Sequence, residues 1–290
     1  MFNLIKNIFP KFLKNILIFF PLLVSNIEIN NTLVLNNLVG FVIFCLITLV
    51  IYITNDFIDY HIDKLNKLKK NNISKLFNKK IFNSLNLLLI PFFFIIESIN
   101  LFSIFLIFYV LSFYFYTFKG KYIKYLDLIF LNSFFIFRLL YGCDLSNIVS
   151  SYWFLIFFSS LFFILSMFKR FIQIKVNKLF KANKIIAYNY KDLPVLKKAI
   201  NFLLIFNVIV FISYIFRENL NYLFPYDSAE INFDKISYLV VFFIYLTNLF
   251  LLVKKLYNYK IKEDIFNYVI KDRVVIFSSI LTILIISIPK

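Results

Sequence analysis

Long apolar runs separated by short segments rich in lysine and asparagine set the rhythm of this chain. The runs stand at 15–31, 33–54, 82–99, 101–118, 126–142, 150–168, 199–216, 236–253 and 273–289. Each comes close to the roughly 20 residues a helix needs to cross about 30 Å of hydrocarbon. The pattern therefore predicts an all-α, polytopic membrane protein with about nine transmembrane helices, forming a single transmembrane domain over 1–290. No stretch remains for a second, soluble domain. The first run follows Lys6, Lys11 and Lys14 and has the outline of a signal peptide, but no small-residue cleavage site follows it. It is read as a retained first helix.

Composition supports this reading, because 61% of the 290 residues are hydrophobic and 21% are aromatic. A soluble domain of this length could not hide so much apolar surface. The net charge of +17 would in a soluble protein suggest a nucleic-acid partner. Here the lysines and arginines fall in alternate loops: Lys64 to Lys80, Lys119 to Lys124, Lys169 to Lys198, and Lys254 to Arg273. The intervening loops carry mainly acids, among them Glu28, Glu97, Asp144, Glu218 and Asp234. By the positive-inside rule the N-terminus faces the cytoplasm and Lys290 lies outside, as expected for an inner-membrane protein with no nucleic-acid partner. Cys45 and Cys143 form no metal or redox pattern and read as packing residues.

Charge on a membrane helix costs about 2.5 to 3.5 kcal/mol at its centre, so charged residues in or at the ends of spans are the first places to seek function. The second run ends in Asn55, Asp56, Phe57, Ile58, Asp59, Tyr60, His61, Ile62 and Asp63. At about 100° per residue, Asp56, Asp59 and Asp63 fall within about 60° of one another, with Asn55 beside them. Like charges on one face repel unless a cation sits among them, and oxygen donors of this kind suit Mg²⁺. His61, about 140° from Asp56, faces away from the stripe. A solvated acidic helix end is the plain alternative. Lys14, Lys119, Lys121, Lys169 and Arg170 lie at the same ends of the spans and could face a diphosphate, although basic residues there usually serve topology. Arg138 differs, since it stands within the fifth run. Asp127 is about 16 Å from it along a helix, so a partner on another helix or a bound anion is expected. Tyr116 and Tyr190 are the two aromatics beside the expected site mouth.

NDFIDYHID at 55–63 resembles the NDxxDxxxD motif of the UbiA superfamily of membrane prenyltransferases. PKFLKNILIFFPLL at 10–23, YTFKGKYIKYLD at 116–127, FRLLYG at 137–142, SYWFLIF at 151–157, FKRF at 168–171 and IKDRVV at 270–275 resemble segments of the branch that contains decaprenyl-phosphate phosphoribosyltransferase. Lys14 and Asn15 fall on that branch's Lys-Asn pair. The chain departs from the family in three places. The loop after the sixth run has Asp192 among basic residues instead of a second acidic motif, Gln173 replaces a glutamate, and the His-Pro and Arg-Pro elements after Asp63 are absent.

The resemblance implies a UbiA-like bundle and a Mg²⁺-dependent transfer of 5-phosphoribose from phosphoribosyl diphosphate, or another diphosphate donor, to a polyprenyl phosphate lipid. Asn55, Asp56, Asp59 and Asp63 would hold the metal on the diphosphate. Lys119, Lys121, Lys169 and Arg170 would offset charge on the leaving group, and Lys14 and Arg138 would hold the acceptor phosphate. The loss of the second acidic motif favours a more anionic substrate pair. Two alternatives stay open: prenyl transfer to an aromatic or other small acceptor, and a transporter using the aspartate stripe as a cation path. Assembly as a homo-oligomer also stays open.

Overall fold

The computed structural model describes residues 12–25, 30–58, 89, 96–97, 101, 103–179, 187–215, 235–258, 268–269 and 272–287. Asp59, His61, Asp63 and most of the predicted run at 82–99 lie outside them. Among the described residues there is no strand. The helices are α1 (Leu13–Val24), α2 (Asn31–Ile58), α3 (Ile104–Phe118), α4 (Leu126–Leu145), α5 (Tyr152–Leu179), α6 (Leu193–Ile215), α7 (Lys235–Tyr257) and α8 (Arg273–Ser287). Among the described residues, five segments are long and apolar enough to cross a membrane: α2, α4, Tyr152–Lys175 of α5, Tyr190–Ile215 and Val240–Tyr257. α1 and α3 are apolar but shorter.

These helices bury polar side chains and expose apolar ones, the inverse of a soluble bundle. On α2 the exposed face carries Leu35, Leu38, Val42 and Leu46, while the opposite face buries Asn37, Phe44, Ile47, Thr48 and Ile51. α3 exposes Ile104, Phe108, Leu111, Phe115 and Phe118 at the same three-to-four-residue spacing. α6 exposes Phe202, Ile205, Phe206, Ile209 and Ile212. In water such contiguous stripes would drive aggregation, whereas in lipid they are the outer surface. The chain is a helical membrane protein.

Contacts divide the chain into two compact units. One comprises Met1–Leu22, Glu28–Ile148 and Leu179–Ala187, and the other Leu23–Ile27, Val149–Lys178 and Tyr188–Lys290. In the first, α1 packs on α4 and α2, and α3 packs on α4. α1 begins as a 3₁₀ helix over Leu13–Phe19. Pro21 has no N–H to offer the Leu17 carbonyl, which accepts instead from the Phe20 N–H, tightening the turn. Close approach of α1 to α4 depends on Gly142, where a Cβ would strike the backbone carbonyl of Ile18. Ser103 caps α3, its Oγ accepting from the Phe105 N–H at 3.2 Å and donating to Asp144 at the far end of α4. Asn37 Nδ2 donates to Ser146 Oγ at 2.9 Å, tying α2 to the same end.

In the second unit Asn207 of α6 is fully buried. Its Nδ2 donates to the Phe157 carbonyl (3.0 Å) and Ser160 Oγ (2.6 Å) of α5, and its Oδ1 accepts from the Tyr245 hydroxyl of α7. Asn248 Nδ2 donates to Ser278 Oγ at 2.7 Å, joining α7 to α8. α5 continues past the predicted end at 168 through Lys169, Arg170 and Lys175, because Phe171, Ile172 and Ile174 keep a buried face and the basic side chains are good helix formers.

Candidate functional site

Arg138 lies near the middle of α4 with 2% of its surface exposed. Its Nη1 donates to the Phe134 carbonyl one turn earlier, at 2.5 Å. Nε donates to Asn15 Oδ1 of α1 at 2.9 Å, and Nη2 to the Tyr109 hydroxyl of α3, also at 2.9 Å. The rings of Tyr109, Phe44 and Phe135 surround the guanidinium, their centroids 5.0, 5.5 and 5.6 Å from Cζ. Asn15 is itself fully buried and passes the network on to α2, its Nδ2 donating to Thr48 Oγ1 (3.0 Å) and Cys45 Sγ (3.3 Å). Four helices therefore meet at one cation.

Magnitudes explain why a charge is tolerated here. Each hydrogen bond to a charged group contributes about 1.5 to 3 kcal/mol, and each desolvated cation–π contact about 0.5 to 2 kcal/mol. Together these offset a burial cost of about 2.5 to 3.5 kcal/mol at mid-membrane. The three acceptors of Arg138 are an amide oxygen, a backbone carbonyl and a phenol, none of them a carboxylate. The expected partner on another helix is found on two of them, α1 and α3.

From this cation a polar line runs along α2. Asn55 follows Thr48 by seven residues, which places it on the same helix face about 10 Å further along the axis. Asn55 and Asp56 occupy the last turn of α2, both half-buried. Lys14, next to Asn15, is half-buried as well. The backbone of α1, pinned by Arg138 through Asn15, thus fixes where Lys14 starts.

Other expected site residues take various positions. Lys119 is exposed at the C-terminus of α3. Lys121 is half-buried in the 3₁₀ turn Gly120–Tyr122, its ammonium 5.1 Å from the Tyr122 ring centroid. Tyr116 packs edge-on against Phe134, ring centroids 5.5 Å apart. Lys169, Arg170 and Tyr190 belong to the second unit. There Arg170 is 3% exposed and donates to Gln173 Oε1 at 2.5 Å, so the position where the resembling branch has glutamate supplies a neutral acceptor to this arginine. Tyr190 is exposed at the 3₁₀ turn ahead of α6.

No three His, Cys, Asp or Glu side chains gather among the described residues. Asn55 and Asp56 offer an amide and a carboxylate oxygen at one helix end, a donor chemistry that fits a hard divalent cation. Asp59 and Asp63, the other two expected ligands, lie outside the described residues. Asn15 as the partner of Arg138, together with Tyr109, Thr48 and Phe44, could not be picked out from sequence. Asn15 alone left a trace there, as the second residue of the Lys-Asn pair in the resemblance. No family model matches the chain, and no curated protein matches it significantly.

Proposed function

We propose that this protein is a membrane-bound transferase of the UbiA type, with about nine spans, that moves 5-phosphoribose from phosphoribosyl diphosphate to a polyprenyl phosphate. The supporting observation is the Asn15–Arg138 hydrogen bond, which joins two of the segments that carry the family resemblance.

In this reading Asn55, Asp56, Asp59 and Asp63 would hold Mg²⁺, which when bound would neutralise diphosphate charge. Three of the five guanidinium donors of Arg138 are spent on protein groups. Its role is therefore to position Asn15 and α1, and the direct contact to the acceptor phosphate falls to Lys14. The acceptor phosphate oxygen attacks the anomeric carbon, the bond from that carbon to the diphosphate oxygen breaks, and diphosphate departs with the electron pair. No protein base is needed, because the attacking oxygen is already ionised near pH 7. Lys119 and Lys121 offset charge on the departing diphosphate. The prenyl tail lies along the apolar outer faces of the helices, in lipid.

The test uses purified protein with Mg²⁺, radiolabelled phosphoribosyl diphosphate and mixed polyprenyl phosphates. Label should enter the organic phase with wild type and not with Asp59→Asn. If no label moves but a polyprenyl diphosphate is consumed when aromatic acceptors are added, the donor is wrong and prenyl transfer takes its place.

A further inference from the structure

Burial along α1 repeats every third residue. Asn15, Ile18 and Pro21 are buried, whereas Ile16 and Leu23 are exposed. Side chains three apart eclipse one another in a 3₁₀ helix, the form taken by Leu13–Phe19. Seven residues is long for such a helix, whose runs seldom exceed three or four. LKNILIF contains no glycine or proline to break an α-helix, so the cause lies outside it.

Contacts with α4 show what the 3₁₀ form achieves. Asn15 Oδ1 accepts from Arg138 Nε, and the Ile18 carbonyl fills the space that a Cβ on Gly142 would need. Arg138 and Gly142 are four residues apart on an α-helix, which is about 6 Å along the axis and about 40° around it. On α1 their counterparts are three apart, in the same order, and a 3₁₀ rise of about 2.0 Å per residue also gives about 6 Å, with both on one face. In an α-helix those three residues would span about 4.5 Å and diverge by about 60°. Seating Ile18 on Gly142 would then carry Asn15 away from Arg138. The 3₁₀ pitch brings both contacts into register together.

The residue that imposes this pitch is Pro21. In an α-helix the Leu17 carbonyl would accept from the N–H at position 21, which proline lacks, and the proline ring crowds that carbonyl. The Phe20 N–H bonds to the Leu17 carbonyl instead, as the 3₁₀ form requires. We infer that Pro21 is a positioning residue, keeping Leu13–Phe19 in the 3₁₀ form so that Ile18 seats on Gly142 while Asn15 reaches Arg138 and Lys14 is set beside them. With Ile18 as anchor, a change to the α form would draw the Lys14 backbone in by about 2 Å and turn it by about 80°. The consequence for Lys14 and the acceptor phosphate rests on the transferase reading, whereas the register does not.

The test compares Pro21→Ala with lactic acid introduced at position 21, which differs from alanine only in an ester oxygen where the N–H would be. In the full-length chain in mixed micelles, the coupling between Asn15→Ala and Arg138→Ala is measured by unfolding in each background. It should fall below half of its wild-type value with Pro21→Ala and stay near that value with lactic acid. Pro21→Ala should also raise KM for the polyprenyl phosphate at least threefold with kcat within twofold of wild type, and lactic acid should restore both. If Pro21→Ala does not fold but the lactic acid variant does, with its coupling intact, the added N–H is the disrupting group, as inferred. Absence of coupling in wild type or full coupling in Pro21→Ala would overturn the inference. Equal loss in both variants, or failure of both to fold, would overturn it too, by assigning the effect to the proline ring. An unchanged KM alongside lost coupling would remove Lys14 from the account. A wild type without turnover refutes the transferase reading alone, and the coupling still decides the role of Pro21.

Discussion

Asn15 accepts a 2.9 Å hydrogen bond from the guanidinium of Arg138, 123 residues further along the chain. Both side chains are buried, and the amide's other end donates to Thr48. Asn15 therefore fits the position in the one orientation that presents oxygen to the cation and nitrogen to the hydroxyl. A double-mutant cycle on Asn15→Ala and Arg138→Ala should show each single change costing about 2 to 4 kcal/mol, with a coupling of about 1 kcal/mol or more. Reversible unfolding in mixed micelles measures it, and strictly additive effects would remove the bond from the account of stability.

Gly142 makes a sharper prediction, because the obstacle to a side chain there is backbone. Gly142→Ala should destabilise by about 2 kcal/mol or more, as α1 must move away from α4. Gly40→Ala should cost less, since the atoms it meets belong to the Leu145 side chain, which has rotamers to use. Equal thermal midpoints for the two variants would count against close α1–α4 packing.

Asp272, just ahead of α8, pairs with Lys255 of α7, and the hydrogen bond from that ammonium holds its carboxyl below the ordinary carboxylate value. A carboxyl with a depressed folded-state pKa stabilises the fold above its unfolded value, about 4, and loses that contribution as pH falls through the folded value. Asp272→Asn should thus lower the thermal midpoint at pH 6. The difference from wild type should shrink as pH drops from about 4 toward 2. A difference independent of pH would assign the effect to packing.

Lys14→Gln probes the proposed acceptor contact. With the Asn15–Arg138 bond intact it should leave the unfolding midpoint near that of wild type and lower kcat/KM for the polyprenyl phosphate about tenfold to a hundredfold. Arg138→Lys, by contrast, should lower midpoint and activity together, because an ammonium cannot reproduce the three-way geometry of the guanidinium.

Asn207 gives an analogous test in the second unit, where its amide meets α5 and α7. Asn207→Ala should destabilise by about 1 to 2 kcal/mol, and Tyr245→Phe by about 0.6 kcal/mol, in line with polar contacts between membrane helices. A neutral Asn207→Ala would mean that the flanking Phe157, Phe211 and Phe242 rings alone hold these helices.

The sequence by itself determined that this is a helical membrane protein, because apolar runs of span length and the placement of charge are local properties that need no tertiary information. It also singled out Arg138 as a cation in need of partners, since the cost of burying a charge follows from its position in an apolar run. The partners were decided only by tertiary structure. Tyr109 is one of 19 tyrosines, and nothing in its own neighbourhood separates it from the others. Asn15 and Thr48 acquire their roles when α1, enabled by Gly142, lies against α4 and α2. The packing of Phe171 on Tyr257 was likewise invisible, because along the chain each is one of many aromatic residues, and only helix packing brings their rings together. Helical periodicity tells which residues share a face of one helix, while the choice of facing helix depends on packing over many residues at once.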